Sequence, residues 1–142
     1  MKFIFSLLLT GLLVSVSTGK QTKILFLGNS YTAQSARFIK EVFNRDGGSY
    51  ELQFGTPGGK DLNFHLTNPT SQQALKSAKW DFVVIQDQSQ KPGLGGPYTE
   101  GFHAAAKGLC EAIEKQGSKP CLFMTWGRRD GDKRNAQIYP DF

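Results

Sequence analysis

Ser30 is the side chain in this sequence best placed to act as a nucleophile. It follows the run Ile24-Leu25-Phe26-Leu27, which stops abruptly at Gly28-Asn29. Four consecutive apolar residues bounded by polar ones suit a strand covered on both faces of a parallel sheet. In α/β proteins, ligands and reacting groups gather in the crevice beyond the carboxyl ends of such strands. Gly28 lets the chain turn sharply there. The residues that follow can open a helix, whose free N–H groups would face the serine and any oxyanion formed beside it. The same residues also allow a plain strand-to-helix turn with Ser30 as the N-cap.

A serine nucleophile needs a general base, and the base needs an orienting acid. The chain holds two histidines, His65 and His103. His65 falls in the loop after a predicted second strand, on the same edge as Ser30, where it can line a pocket, hydrogen-bond a loop or act as the base. His103 falls near the start of a predicted helix, beside apolar Phe102. The segment Gly55-Thr56-Pro57-Gly58-Gly59-Lys60-Asp61 has the look of a phosphate loop. Its spacing is one residue short, and Asp61 stands where Ser or Thr should bind magnesium, so nucleotide binding is not expected. Cys110 and Cys121 lack zinc-site spacing and no histidine cluster supports them, so no metal is expected.

The elements that must position these groups alternate. Lys23–Leu27 reads as a strand and Ser35–Asp46 as a helix, with Ala36, Ile39, Val42 and Phe43 at helical spacing and Gly47-Gly48 closing it. Tyr50–Phe54 reads as a second strand, Thr70–Ala78 as a short helix and Trp80–Gln86 as a third strand. Thr99–Gln116 reads as a helix with Phe102, Ala106, Leu109 and Ile113 on one face, and Cys121–Trp126 as a fourth strand. Strands separated by helical patterns predict βαβ units and a parallel α/β sheet. Four loops then converge on one sheet edge: Gly28–Thr32, Gly55–His65, Gln86–Pro97 and Trp126–Asp132. Their convergence strengthens the case for a site that no single loop makes alone.

The 142 residues suffice for one domain with a real core. The net charge of +5 is scattered. Its densest cluster, Arg128, Arg129, Lys133 and Arg134, is interrupted by Asp130 and Asp132 and has no aromatic stacking platform, which argues against nucleic acid as a partner. At the N-terminus, Lys2 precedes an apolar segment from Phe3 to Val16, and small residues follow at Ser15, Ser17 and Gly19. This reads as a secretory signal over residues 1–19, cleaved near Ser17 to Gly19. The expectation is a secreted or periplasmic domain over 20–142 with no membrane attachment after cleavage; an uncleaved anchor is the alternative. In an oxidising compartment Cys110 and Cys121 could pair, closing a short loop worth at most ~3 kcal/mol. Two buried free thiols fit the pattern equally well.

Taken together, these residues resemble the SGNH (GDSL-like) hydrolases. Ile24–Thr32 is similar to the first conserved block of that superfamily, in the variant where Gly-Asn-Ser replaces Gly-Asp-Ser. Gly58-Gly59 resembles the glycine of the second block. Trp80-Asp81-Phe82-Val83-Val84-Ile85-Gln86-Asp87-Gln88-Ser89 stands where the third should be, with Gln-Asp-Gln-Ser in place of the usual Gly-x-Asn-Asp. With Met124-Thr125-Trp126-Gly127-Arg128-Arg129, this looks like a poorly characterised subgroup. The resemblance implies a flavodoxin-like three-layer α/β/α sandwich and hydrolysis of an acyl or acetyl ester on a small molecule or glycan, without a cofactor. It implies Ser30 as nucleophile, with the backbone N–H groups of Ser30 and Gly59 (or Gly58) as oxyanion donors. In the place of the superfamily's asparagine, Gln88 is the first choice of side-chain donor and Gln86 the second. A glutamine amide donates as an asparagine does, on a longer arm.

The superfamily draws its base and acid from a late Asp-x-x-His block after a fifth strand. This sequence runs to Tyr139-Pro140-Asp141-Phe142 without one. The expectation is therefore the N-terminal part of such a hydrolase, lacking the C-terminal strand and helix and weakly active or inactive alone. A non-catalytic extracellular carbohydrate- or partner-binding module on the same fold is the alternative.

Overall fold

A computed structural model describes residues 19–125. The signal segment, the basic cluster and the loop after Trp126 lie outside the described residues. Four strands, β1 (Thr22–Leu27), β2 (Tyr50–Gly55), β3 (Phe82–Ile85) and β4 (Lys119–Leu122), form one sheet in the order β2-β1-β3-β4. Every pairing is parallel, with Leu25 opposite both Gln53 and Val83, and Val83 opposite Pro120. Pro120, which has no N–H to donate, lies on β4, the edge strand among the described residues, where a missing ladder donor is tolerated.

Side chains alternate across the sheet, and its two faces are covered unequally. Leu25, Leu27, Val83 and Ile85 are fully buried and point into a core completed by Leu62, Leu75, Trp80, Leu109 and Ile113. Those partners come from α2 (Leu62–Thr67), α3 (Pro69–Lys76) and α4 (Gly96–Lys115) and from the turn before β3. Each such side chain contributes about 1.5–3 kcal/mol on burial. α4 approaches α2 closely at Gly108, where a Cβ would sit 3.1 Å from Leu66 Cδ2 and make that side chain give by a few tenths of an ångström. The opposite face carries Ile24, Phe26, Phe82 and Val84 toward Ile39 and Phe43 of α1 (Ser30–Arg45), leaving an open apolar cleft of about 640 Å3. The layers are therefore α/β/α, as the strand and helix pattern predicts.

Several predicted boundaries shift. α1 begins at Ser30, not Ser35, because Asn29 caps it: the Asn29 side chain accepts the N–H of Tyr31 at 3.1 Å. Ser30 is thus the first helical residue rather than the cap. The loop Gly55–His65 contains the start of an unpredicted helix, α2, capped by Asp61, which accepts the N–H of Phe64 at 2.8 Å. With six residues, α2 is too short to show helical periodicity. α4 begins three residues earlier than its hydrophobic pattern, since Gly96 and Pro97 suit a first turn. β4 is displaced toward Lys119 relative to the predicted Cys121–Trp126.

Both cysteines are free, so the pairing of Cys110 with Cys121 is not formed. Cys110 lies half-buried on α4, where burial first and then the neighbouring Glu114 and Glu111 push its thiol pKa up and keep it protonated. Cys121 lines the open cleft on the other face of the sheet.

Candidate active site

The carboxyl ends of β1, β2 and β3 meet at Asn29. Its backbone N–H donates to Gln86 Oε1 at 3.0 Å, and its side-chain Oδ1 caps α1. Its Nδ2 donates to the carbonyl of Lys60 at 2.8 Å and to that of Asp87 at 3.2 Å. One buried side chain therefore ties the turn after β1 to the glycine turn after β2 and to the loop after β3. Asn29 is 2% exposed; a donor is needed on that side, and an aspartate in this position would set a carboxylate against two carbonyl oxygens.

Ser30 sits half-buried on this hub, at the first position of a sixteen-residue helix. The N–H at that position has no intrahelical acceptor, and the helix dipole adds partial positive charge there. Beneath it lies a small polar lock. Gln86 is 1% exposed, and its Oε1 accepts both the Asn29 N–H and the hydroxyl of Thr32, the latter at 2.8 Å. Its Nε2 donates to the carbonyl of Asp87. With its amide consumed in this way, Gln86 braces the turn and points no donor outward. The space is so tight that a Cβ on Gly28 would come 2.5 Å from Thr32 Oγ1 and 2.8 Å from Gln86 Oε1.

Gly58 and Gly59 are exposed, and Gly59 has φ +70°, a left-handed conformation that glycine adopts without a Cβ penalty. The bond from Asn29 to Lys60 holds this turn beside Ser30. Gln88 is half-buried on the third loop, and its Oε1 accepts the N–H groups of Gln90 at 2.8 Å and Lys91 at 3.0 Å. Those two backbone donors fix Oε1 against the loop, so Nε2 is the end of the amide that remains to donate. Asp87 supports the loop from below, its Oδ1 accepting from Leu62 N at 2.9 Å and Gln88 N at 2.7 Å. At the rim, Asp61 and Lys91 form an ion pair. Burial alone would raise the Asp61 carboxyl, but the hydrogen bond from Lys91 and the helix-cap bond from Phe64 outweigh it, and the pKa lies below the ordinary value.

His65 is completely buried with both ring nitrogens engaged. Nε2 lies 2.8 Å from the Gly28 carbonyl and must carry the proton, while Nδ1, 2.9 Å away, accepts from the Ser71 hydroxyl. Burial pushes its pKa down, against smaller upward pulls from the Gly28 carbonyl, Asp61 and Asp87. His65 thus pins α2 to the turn that carries Ser30, as a neutral imidazole. His103 is exposed on α4, its ring 5.3 Å from that of Phe102. The structure brings Ser30, Gly58, Gly59 and Gln88 to one edge and places Gln86 and His65 underneath it as braces. Sequence reasoning passed over Asn29, Thr32 and Asp87. The usable signal was a set of polar residues directly after two fully apolar strands.

No protein-family model and no curated protein matches the sequence. Solved structures do match the fold. A protein from Slackia heliotrinireducens, provisionally described as an SGNH hydrolase, superposes with a TM-score of 0.69 at 28% identity, covering 84% of this chain. TesA superposes with a TM-score of 0.60 at 17% identity over 83% of this chain and 68% of its own. The psychrotrophic esterase EstA from Pseudoalteromonas sp., in a structure inhibited by monoethylphosphonate, gives 0.60 at 13% identity, over 83% of this chain and 67% of its own. The present chain spans 64% of the length of the Slackia protein.

Proposed function

We propose that this chain, whose fold is that of the SGNH/GDSL-like hydrolases, carries the nucleophile and oxyanion half of an ester-hydrolysing site centred on Ser30. The observation that supports this best is the position of Ser30 at the start of α1, on a hub that gathers three loops through Asn29. In this reading Ser30 Oγ attacks the carbonyl carbon of an ester and the alkoxide leaves as the alcohol. Water then hydrolyses the acyl-serine and returns the enzyme. The N–H groups of Ser30 and Gly59 and the Nε2 of Gln88 donate to the oxyanion, with Gly58 as the alternative in the glycine turn. One such donor is worth ~3 kcal/mol of transition-state stabilisation.

The proton of Ser30 needs an acceptor. His65 spends both nitrogens on Gly28 and Ser71, and no hydrogen bond among the described residues joins Ser30 to an imidazole or a carboxylate. Removing the histidine of a serine triad costs on the order of 10⁶ in kcat, so turnover by these residues alone is weak. The substrate in this reading is a small-molecule or glycan ester met outside the cytoplasm, after export directed by residues 1–19.

The engaged state of His65 also favours a second reading, a non-catalytic binding module that keeps the pocket. The two separate by covalent labelling with a fluorophosphonate, read by intact mass. An adduct on the wild type that disappears in Ser30→Ala supports the nucleophile. Glycan binding that Ser30→Ala leaves intact, with no adduct on either protein, supports the binding module instead.

A further inference from the structure

The peptide bond between Gly28 and Asn29 is held at both of its polar ends. Its N–H, on Asn29, donates to Gln86 Oε1 at 3.0 Å, and its carbonyl, on Gly28, accepts from His65 Nε2 at 2.8 Å. On the strand side, the Gly28 N–H donates to the Gly55 carbonyl at 3.1 Å. The Ser30 N–H lies one residue further along, beyond extended Asn29 (φ −134°, ψ −152°), so the tilt of the clamped peptide sets where that donor points. His65 is fixed in its turn. The Gly28 carbonyl can only accept, so Nε2 carries the ring proton and Nδ1 must accept. Ser71, 7% exposed in the first turn of α3, supplies that donor at 2.9 Å. The Ser71 N–H is held by Asn68 Oδ1 at 3.2 Å, and Gln72 Nε2 donates to the His65 carbonyl at 3.0 Å. A chain of bonds thus runs from the start of α3 through the imidazole to the turn before Ser30. The ring has no exposed surface and both nitrogens are spent, so it acts on the site only through the backbone.

We infer that His65 is a positioning residue for Ser30: its Nε2–H fixes the tilt of the Gly28–Asn29 peptide and, through it, the aim of the Ser30 N–H at an oxyanion. The inference rests on Ser30 as the nucleophile for its catalytic sense, but the clamp itself can be measured without any reaction at the serine. What the site takes from His65 is one donor and one acceptor in fixed places, not a proton acceptor for the serine. A glutamine supplies both, since its amide nitrogen can donate to the Gly28 carbonyl while its oxygen accepts from Ser71. A leucine fills the space and supplies neither, which orphans a buried carbonyl and a buried hydroxyl. Misplacement of a reacting group by about 1 Å costs up to about 10²-fold in rate, so loss of the clamp should show in reactivity beyond any loss of fold.

The test uses the full chain as wild type, His65→Gln, His65→Leu and Ser71→Ala, with two readouts. The first is the rate of Ser30 labelling by a fluorophosphonate, corrected for the folded fraction read from urea denaturation. The second is hydrogen exchange at the Asn29 amide relative to the amides of β3, which a purely structural loss would lower together. Labelling of His65→Gln within about threefold of wild type, and of His65→Leu slower by about tenfold or more, supports the inference. Protection of the Asn29 amide should then be lost selectively in His65→Leu and kept in His65→Gln. Ser71→Ala keeps the imidazole and removes the hydroxyl that orients it, so its labelling should fall between the two. If His65→Leu does not fold, Ser71→Ala takes its place in the comparison. Labelling of His65→Gln slowed by about tenfold or more overturns the inference, because the imidazole itself is then required. Wild-type labelling in the clamp-breaking variant, or Asn29 and β3 amides losing protection together, also overturns it. A wild type that takes no adduct would sink the nucleophile reading alone, leaving exchange at Asn29 to decide the clamp.

Discussion

The side-chain amide of Asn29 donates to the Lys60 carbonyl at 2.8 Å and thereby holds the Gly58–Gly59 turn against the start of α1. Replacement by aspartate keeps the shape and removes both donated bonds. Asn29→Asp is expected to cost about 1–3 kcal/mol for each carbonyl left facing an acceptor. A carboxyl held among carbonyls has its folded pKa raised, so the variant should recover stability as pH falls and lose it as pH rises. Thermal melts at pH 4.5 and pH 8 measure this; a variant as stable as wild type at pH 8 would contradict it.

Gln86 acts from beneath through an oxygen that accepts from Asn29 and Thr32 together. Gln86→Ala orphans both donors and should lower stability by roughly 2–4 kcal/mol. It should also reduce phosphonylation of Ser30 at least tenfold, because the turn is no longer fixed. Gln86→Glu should do less harm at acid pH, where a protonated carboxyl can still donate to the Asp87 carbonyl. Urea denaturation and labelling rates across pH check both statements.

Gly28 has no room for a methyl group. Gly28→Ala places a Cβ 2.5 Å from Thr32 Oγ1, and overpacking of this kind costs about 1–3 kcal/mol. The double variant Gly28→Ala/Thr32→Ala should be less destabilised than the sum of its singles, because the clashing hydroxyl is gone. Additive losses in a double-mutant cycle would show that the strain lies elsewhere.

His65 makes the fold sensitive to mild acid. Its folded pKa is lowered by burial from the ordinary 6.5, so the unfolded chain binds the proton first. Stability is then full above about pH 6.5 and falls as pH drops toward the folded value. Denaturant midpoints at pH 7.5 and 5.5 should differ in the wild type. In His65→Gln, which has no titrating group, that difference should shrink, although the variant is weaker at both pH values.

Asp61 serves two elements at once, capping α2 and pairing with Lys91. Asp61→Ala should cost about 1 kcal/mol through the cap alone. Lys91→Met should cost less, since the pair is partly exposed and screened. The lowered Asp61 pKa means that its contribution disappears as pH falls below the ordinary carboxylate range. Tm measured for both variants at pH 7 gives the ranking, and a larger loss for Lys91→Met would reverse the assignment.

Much of the architecture was legible before any coordinate. Ile24–Leu27 and Phe82–Ile85 are consecutive apolar runs, and their shortness, with helical periodicity flanking them in the chain, suits strands of a parallel sheet with helices on its faces. α2 was not legible, since six residues just after a glycine-rich turn leave no periodic trace. Its start depends on Asp61 finding the Phe64 N–H.

The candidate site divides along the same line. The sequence by itself determined that a serine would stand at the end of an apolar strand, with glycines and glutamines on neighbouring loops, because residue type and local order suffice for that. Only the tertiary structure decided which glutamine faces outward and which is spent inside. Gln86 and Gln88 are two residues apart and chemically identical, yet one accepts from Asn29 and Thr32 and the other from Gln90 and Lys91. The same holds for His65, whose burial against Gly28 and Ser71 turns a candidate base into a brace. The bonds of Gln86 to Asn29 and Thr32 and of His65 to Gly28 join residues tens of positions apart, and a buried polar group takes whichever partners the packed chain presents.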